Sequence, residues 1–317
     1  MKTVILDAYT MNPGDLSWEN WETLEGFEKY DRTPQELVVQ RASNAEIVLV
    51  NKVRMTADVI ALLPKLQYIG VLATGYDIVD IQAAKKAGIT VTNVPAYSTD
   101  SVAQLVFAFI LEHCQKVALY NQEVHKGAWQ SSPDFTFSIT PTVELAGKTL
   151  GVIGLGRIGM KVAAIGHAFG MKVVGYRRNP PTTLPEWLTI APIETIFKSS
   201  DFLSCHCPLT AETRALINAK HLAMMKKEAF LVNTSRGPVA DEQALSDALN
   251  AGQIAGAAVD VLAQEPPSNG SPLLNAKNCI ITPHLAWATR EARIRLNQVA
   301  LENVKAFLAS NPVNVVS

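Results

Sequence analysis

The stretch Gly154-Leu155-Gly156-Arg157-Ile158-Gly159 follows a short apolar run, Leu150-Gly151-Val152-Ile153, and opens a segment of helical periodicity. In that setting each glycine has a use. The first permits a tight turn, the second lets backbone approach a pyrophosphate, and the third brings helix and strand close, with the helix N-terminus facing the anion. Glycines that only pack a tight turn would spell the same letters, so the strand before and the helix after carry the dinucleotide reading of Gly154, Gly156 and Gly159.

Outward from this turn, short strand-like runs continue at residues 172–176, 202–205, 229–233, 257–261 and 279–282, making six with 150–153. Six is the number in a full dinucleotide-binding sheet. An earlier series of the same kind lies at Val4-Ile5-Leu6, Ile47-Val48-Leu49-Val50, residues 68–72 and residues 91–94. Between these runs, residues 56–63 and 80–87 read as helices, the first closed by Pro64 and the second by Gly88. Strand–helix alternation implies parallel α/β sheets whose ligands lie beyond the carboxyl ends of the strands. Ser98-Thr99-Asp100 offers caps to a long apolar helix expected to run to about Tyr120, and residues 289–308 form a last helix with Ile294, Val299, Val304 and Leu308 available for its apolar face. The expected organisation is two Rossmann-like domains. A dinucleotide-binding domain, residues 99–287, is inserted into a discontinuous substrate domain, residues 1–98 and 288–317, so that two connections serve as a hinge.

The 317 residues are 48% hydrophobic and 18% charged, enough apolar material for two cores and too little charge for a disordered chain. With 28 basic and 29 acidic side chains the formal charge is −1, which gives no overall field for nucleic acid or anionic lipid. No apolar run approaches the roughly 20 residues of a membrane span. The N-terminus lacks the pattern of a signal peptide, so a cytoplasmic protein with four reduced cysteines is expected.

After the strand at residues 172–176 a ribose-binding carboxylate is usual, but the chain reads Tyr176-Arg177-Arg178-Asn179. Two guanidiniums suit a 2′-phosphate, which favours NADP(H); NAD(H) stays open if the arginines are merely solvated. Three polar residues then follow strand ends: Arg236 in Asn233-Thr234-Ser235-Arg236-Gly237, Glu265 in Gln264-Glu265-Pro266-Pro267, and His284 in Thr282-Pro283-His284. Singly each would pass for a cap, an ion pair or a satisfied histidine. Together they suit carbonyl reduction: Arg236 orients a carboxylate and polarises the adjacent carbonyl, His284 donates the proton, and Glu265 holds the imidazole. Cys205-His206-Cys207 sends two thiols to one face of a strand and the imidazole to the other, and no second ligand pair follows, so no metal site is expected. Lys52 lies just past a strand end and is a candidate substrate contact; a solvated lysine fits equally well.

This combination resembles the D-isomer-specific 2-hydroxyacid dehydrogenases over nearly the whole chain. Gly14-Asp15-Leu16-Ser17-Trp18, Tyr30-Asp31-Arg32-Thr33, Gly70-Val71-Leu72-Ala73-Thr74-Gly75-Tyr76 and Val94-Pro95-Ala96-Tyr97-Ser98-Thr99 are similar to the glycerate dehydrogenase (hydroxypyruvate reductase) branch. The resemblance implies Arg236, Glu265 and His284 as the catalytic set, with backbone amides of Thr74 and Gly75 completing a carboxylate site. It also implies cofactor contacts from Arg157 and Ile158 at the pyrophosphate and from Cys207 and Pro208 beside the adenosine ribose and nicotinamide. Thr234 is implied at the nicotinamide and Asp260 at its carboxamide. Where the family commonly has Gly-Ser after the histidine segment, this chain has Ala286-Trp287, and Trp287 is a candidate for reshaping the pocket. The implied reaction is reduction of hydroxypyruvate, and of glyoxylate, by a homodimer joined through its cofactor domains. Dehydrogenases for other D-2-hydroxy acids, for formate or for phosphite share the scaffold. Dinucleotide-binding transcriptional corepressors share it too.

Overall fold

A computed structural model describes residues 1–179 and 183–317. Its contacts divide the chain into two units, Met1–Ser98 with Trp287–Ser317, and Thr99–Ala286.

The first unit holds a parallel sheet of β1 (Thr3–Ile5), β2 (Glu28–Lys29), β3 (Ile47–Val50), β4 (Tyr68–Val71) and β5 (Thr90–Thr92), in the order β2-β1-β3-β4-β5 among the described residues. β3 and β4 are buried throughout because both faces are covered, which is why they read as unbroken apolar runs. Val4, Val48, Val50, Ile69 and Val71 face one core with Ile60 and Ala84 from the helices Ala57–Ala61 and Ile81–Lys86. Ile5, Ile47, Leu49 and Tyr68 face the other, against Ala292, Leu296, Ala300 and Val304 of the helix Arg290–Leu308. Helix starts follow side-chain caps: Thr56 accepts from the Val59 amide, Asp80 from Ala83 and Thr289 from Ala292. The last helix keeps only part of its expected face, with Val304 buried and Val299 packed against the core. Its stripe runs through 292, 296, 300 and 304 at a spacing of four, leaving Ile294 and Leu308 at 40% and 42% exposure.

The second unit holds β6 (Thr149–Ile153), β7 (Lys172–Tyr176), β8 (Leu188–Ile190), β9 (Phe202–Cys205), β10 (Phe230–Asn233), β11 (Gly256–Val259) and β12 (Cys279–Ile281). All pair in parallel, in the order β12-β11-β10-β9-β6-β7-β8 among the described residues, and the strand order turns between β6 and β9. Six strands are the expected ones. β8 is an added edge strand, Leu188-Thr189-Ile190, with its middle residue exposed and Pro192 soon after, and β2 in the first unit, two exposed residues, is likewise not an apolar run.

The expected single helix to about Tyr120 is instead two, Thr99–Gln115 and Val117–His125, bent by 52° at Lys116, whose φ of 48° is left-handed. Buried side chains stop at Cys114, and the second helix buries none, so no core keeps it in line with the first. Among the described residues no single helix is long and apolar enough to cross a membrane. Trp287, expected in the inserted domain, belongs with the first unit, where it meets the Tyr97 ring edge-on at 6.2 Å.

Candidate active site

In the second unit, β6 ends at Ile153 and the helix Arg157–Ala168 begins four residues later. Gly154 has φ of +97°, and a Cβ there would lie 2.6 Å from the His206 carbonyl carbon and oxygen, so only glycine fits between the turn and the end of β9. Gly156 is the helix N-cap and offers no side chain to its first amides, while a Cβ built on it meets nothing within 4 Å. An uncapped helix start beside open space has backbone amides suited to an anion. Gly159 is buried, Ile158 half-buried and Arg157 exposed at this end.

After β7, exposed Arg177 donates from Nη1 to the Leu155 carbonyl at 3.3 Å, which places its guanidinium against the glycine turn. Arg178 leans instead toward Glu212, at 3.7 Å. Past β9, Cys207 is buried and Pro208 exposed. Burial pushes the Cys207 thiol up to about 11 and raises that of Cys205 as well, and it takes His206 down to about 3. His206 is thus a neutral ring paired with Ser204 Oγ at 2.8 Å. No group of three His, Cys, Asp or Glu among the described residues is placed to hold a metal ion.

Past β10, Asn233 organises the next turn: its Oδ1 accepts from the Ser235 amide and hydroxyl, and its Nδ2 donates to the Arg236 carbonyl at 3.0 Å. Thr234 Oγ1 is buried and makes no hydrogen bond. Arg236 is half-buried, with Nη1 donating to the Ser235 carbonyl. A Cβ on Gly237 would fall 2.0 Å from the Leu262 carbonyl, so the Arg236 turn lies directly on the segment that leads to Glu265.

Glu265 uses both oxygens. Oε1 accepts from the Leu262 amide at 3.0 Å, and Oε2 lies 2.6 Å from His284 Nδ1. His284 has φ of 52°, and its amide donates to the Asp260 carbonyl at 2.8 Å. Asp260, 1% exposed, accepts from Thr282 Oγ1 and the Leu285 amide on Oδ1 and from the Ala286 amide on Oδ2, so it grips the histidine segment on both sides. Burial raises its carboxyl pKa. The implied carboxamide contact of Asp260 thus falls on a carboxylate already serving three donors.

Sequence reasoning missed Glu242. At the start of the helix Glu242–Asn250, its Oε1 accepts from the Ala263 amide at 2.6 Å and its Oε2 from Ser271 Oγ at 2.7 Å, tying together both ends of the loop that carries Glu265. The only local signal is an acid in a first helical turn, which ordinarily reads as a dipole partner.

In the first unit, Thr74 Oγ1 donates to the Val94 carbonyl at 3.0 Å, and the Thr74 carbonyl accepts from Asn93 Nδ2 at 2.7 Å. The Thr74 and Gly75 segment beyond β4 is thereby anchored. Lys52 is exposed just past β3, beside a cavity of about 340 Å³ that Tyr9, Asp31 and Arg32 also line. Asp7, a second residue not foreseen, is a buried carboxylate accepting the amides of Asn51, Lys52 and Val53. Burial raises its pKa and these three N–H groups oppose the rise.

Residues 107–286 match the family described as D-isomer specific 2-hydroxyacid dehydrogenase, NAD binding domain. The chain is 45% identical to a hydroxypyruvate reductase of Blautia hydrogenotrophica over all of both chains. It is 40% identical to a glycerate dehydrogenase of Methylorubrum extorquens over 99% of this chain and 98% of that one. Among solved structures, an acyclic imino acid reductase in complex with NADPH and D-Arg superposes with a TM-score of 0.86 at 33% identity, covering both chains in full.

Proposed function

The chain belongs to the D-isomer-specific 2-hydroxyacid dehydrogenases, NAD(P)-dependent oxidoreductases acting on a CH–OH group, and on that premise we propose that it reduces hydroxypyruvate to D-glycerate, and glyoxylate to glycolate. The observation that carries the mechanism is the 2.6 Å pair of His284 Nδ1 and Glu265 Oε2. With Nδ1 held by a carboxylate, Nε2 is the nitrogen left to protonate the oxygen at C2 of the substrate, and Glu265 supports the charged ring before that transfer. Arg236 binds the substrate carboxylate and polarises the C2 carbonyl, and its fixed charge stabilises the oxygen as negative charge develops. The hydride needed at C2 would be supplied by the cofactor in its reduced dihydronicotinamide form. Thr74 and Gly75 offer backbone amides to the carboxylate, and Lys52 and Trp287 are proposed as further substrate contacts from the first unit. The family relatives named for hydroxypyruvate and glycerate support this substrate class.

The residues of the second unit fit a dinucleotide. The open helix start at Gly156, Arg157 and Ile158 would take the pyrophosphate, Cys207 and Pro208 would border the ribose and nicotinamide, and Thr234 Oγ1 supplies an unpaired polar atom for the nicotinamide end. NADP(H) is favoured because Arg177 is held against the turn as a cation where a 2′-phosphate would sit, with Arg178 beside it and no acid in Arg177-Arg178-Asn179. We assign cofactor binding to residues 99–286 and substrate binding to the other unit. A homodimer through the cofactor unit is supported by exposed Val117, Val124, Trp129, Ile139 and Phe135, the last 89% exposed. Four free thiols fit a cytoplasmic setting. The test is a steady-state matrix of hydroxypyruvate, glyoxylate, pyruvate and 2-oxoglutarate against NADH and NADPH. Highest kcat/KM with hydroxypyruvate and NADPH is expected; no turnover of any 2-oxo acid overturns the reading, and a clear NADH preference overturns the cofactor assignment alone.

A further inference from the structure

Asn51, which the dehydrogenase reading leaves without a role, directly follows β3 and is only 5% exposed. Its amide N–H donates to Asp7 Oδ1 at 2.7 Å, and its Nδ2 donates to the Leu72 carbonyl at 2.6 Å. Those bonds fix which way the side chain points. A flip would set Oδ1 against the Leu72 carbonyl, acceptor against acceptor. Asn51 Oδ1 is then a buried acceptor with no donor. Such an atom costs the fold stability unless something supplies a hydrogen bond. It stands at the carboxyl end of the middle strand in the order β2-β1-β3-β4-β5, where parallel sheets take ligands. The residues beyond it on β3 and beyond Leu72 and Ala73 on the neighbouring strand, Lys52 and Thr74, are exposed.

The missing partner must be a donor. In hydroxypyruvate the carboxylate and the carbonyl only accept, and the C3 hydroxyl is the single donor. Resting on the substrate reading above, we propose that Asn51 Oδ1 accepts a hydrogen bond from the C3 hydroxyl. Asn51 thereby selects 3-hydroxy-2-oxo acids over 2-oxo acids that lack the hydroxyl. Asp7 acts as a positioning residue here, since it holds the backbone from which Asn51 projects. A site built around one substrate hydroxyl discriminates against the analogue without it because a buried polar atom is then left unpaired.

The experiment compares kcat/KM for hydroxypyruvate and pyruvate, which differ by that hydroxyl, in the wild type, Asn51→Leu and Asn51→Ala. The wild type should prefer hydroxypyruvate by about tenfold or more. Asn51→Leu, close in shape but without an acceptor, should shrink that ratio by about tenfold while pyruvate stays within about twofold. Asn51→Ala, which leaves room for water at the Leu72 carbonyl, should shrink it likewise and serves if the leucine variant does not fold. Parallel losses on both substrates in a folded variant point to an internal water or a structural role and overturn the assignment. An unchanged ratio, or a wild type indifferent to the hydroxyl, overturns it as well while leaving the dehydrogenase reading intact. A wild type that reduces neither acid overturns the substrate reading itself, and the Asn51 assignment with it.

Discussion

Both units are parallel sheets, and each leaves an unpaired polar atom one residue past a central strand, Asn51 after β3 and Thr234 after β10. They differ in what fills the backbone amides past a strand end, β3 in the first unit and β6 in the second. In the first unit the N–H groups of residues 51–53 converge on the chain's own carboxylate, Asp7. In the second, the first amides of the helix Arg157–Ala168 have no side-chain cap at Gly156. The end of β3 carries its own anion, and the helix start past β6 leaves its amides without a side-chain acceptor. A parallel sheet thus supplies the same geometry twice, and an internal carboxylate at one end disfavours a phosphate there while an uncapped helix start at the other suits one.

The sharpest way to break this division of labour is to disarm the second unit alone. His284→Ala should lower kcat for 2-oxo acid reduction by about 10²–10⁴-fold, the range a positioned proton donor contributes, while cofactor binding measured by fluorescence titration stays within a few-fold. Comparable loss of cofactor affinity would mean that the histidine segment supports the fold of the site and not the proton transfer.

Glu242→Ala tests a smaller effect in the same unit. Releasing both ends of the loop that carries Glu265 should cost about tenfold in kcat with KM little changed, because Glu242 acts on the proposed partner of His284 and not on the substrate. Glu242→Gln should recover most of it. A glutamine carbonyl still accepts from Ala263, and its NH2 can donate to the Ser271 hydroxyl. Equal damage from both variants would point to charge and away from positioning.

Glu242 also marks the limit of what the letters disclose. The glycine turn and the order Arg236, Glu265, His284 are legible because each follows its own strand, and strand ends are where a parallel sheet is read for chemistry. Glu242 is tied to Ala263 and Ser271, and Asp7 to residues 51–53, across sequence gaps of 21 to 46 residues. Nothing local forecasts such pairs. Edge strands β2 and β8 escape for a different reason: β2 is two exposed charged residues, Glu28-Lys29, and β8, Leu188-Thr189-Ile190, is interrupted by an exposed threonine. The break at Lys116 has neither glycine nor proline within Glu112-His113-Cys114-Gln115-Lys116-Val117, and falls where the buried face ends.

The smallest effect separates the units by acid. All six histidines lie between residues 99 and 286, and the first unit has none. His113 stacks on Phe230 at 4.1 Å, and burial, helped by Lys116, takes its pKa from 6.5 down to about 4. Between those two values the unfolded chain binds a proton that the folded one refuses. The stability tied to this residue is therefore complete above about pH 6.5 and falls as the pH is lowered to about 4, below which it no longer changes. The ring is only partly buried, so the loss is on the order of 1–2 kcal/mol, less than the full shift would give. His113→Phe keeps the stack and removes the titration. Urea unfolding of the wild type and the variant at pH 7 and pH 4.5 should show a stability gap that moves in favour of the variant at the lower pH. Hydrogen exchange should place that gain in amides of Thr99–Ala286. A gap that does not change with pH would mean that His113 is solvated as freely in the folded chain as in the unfolded one.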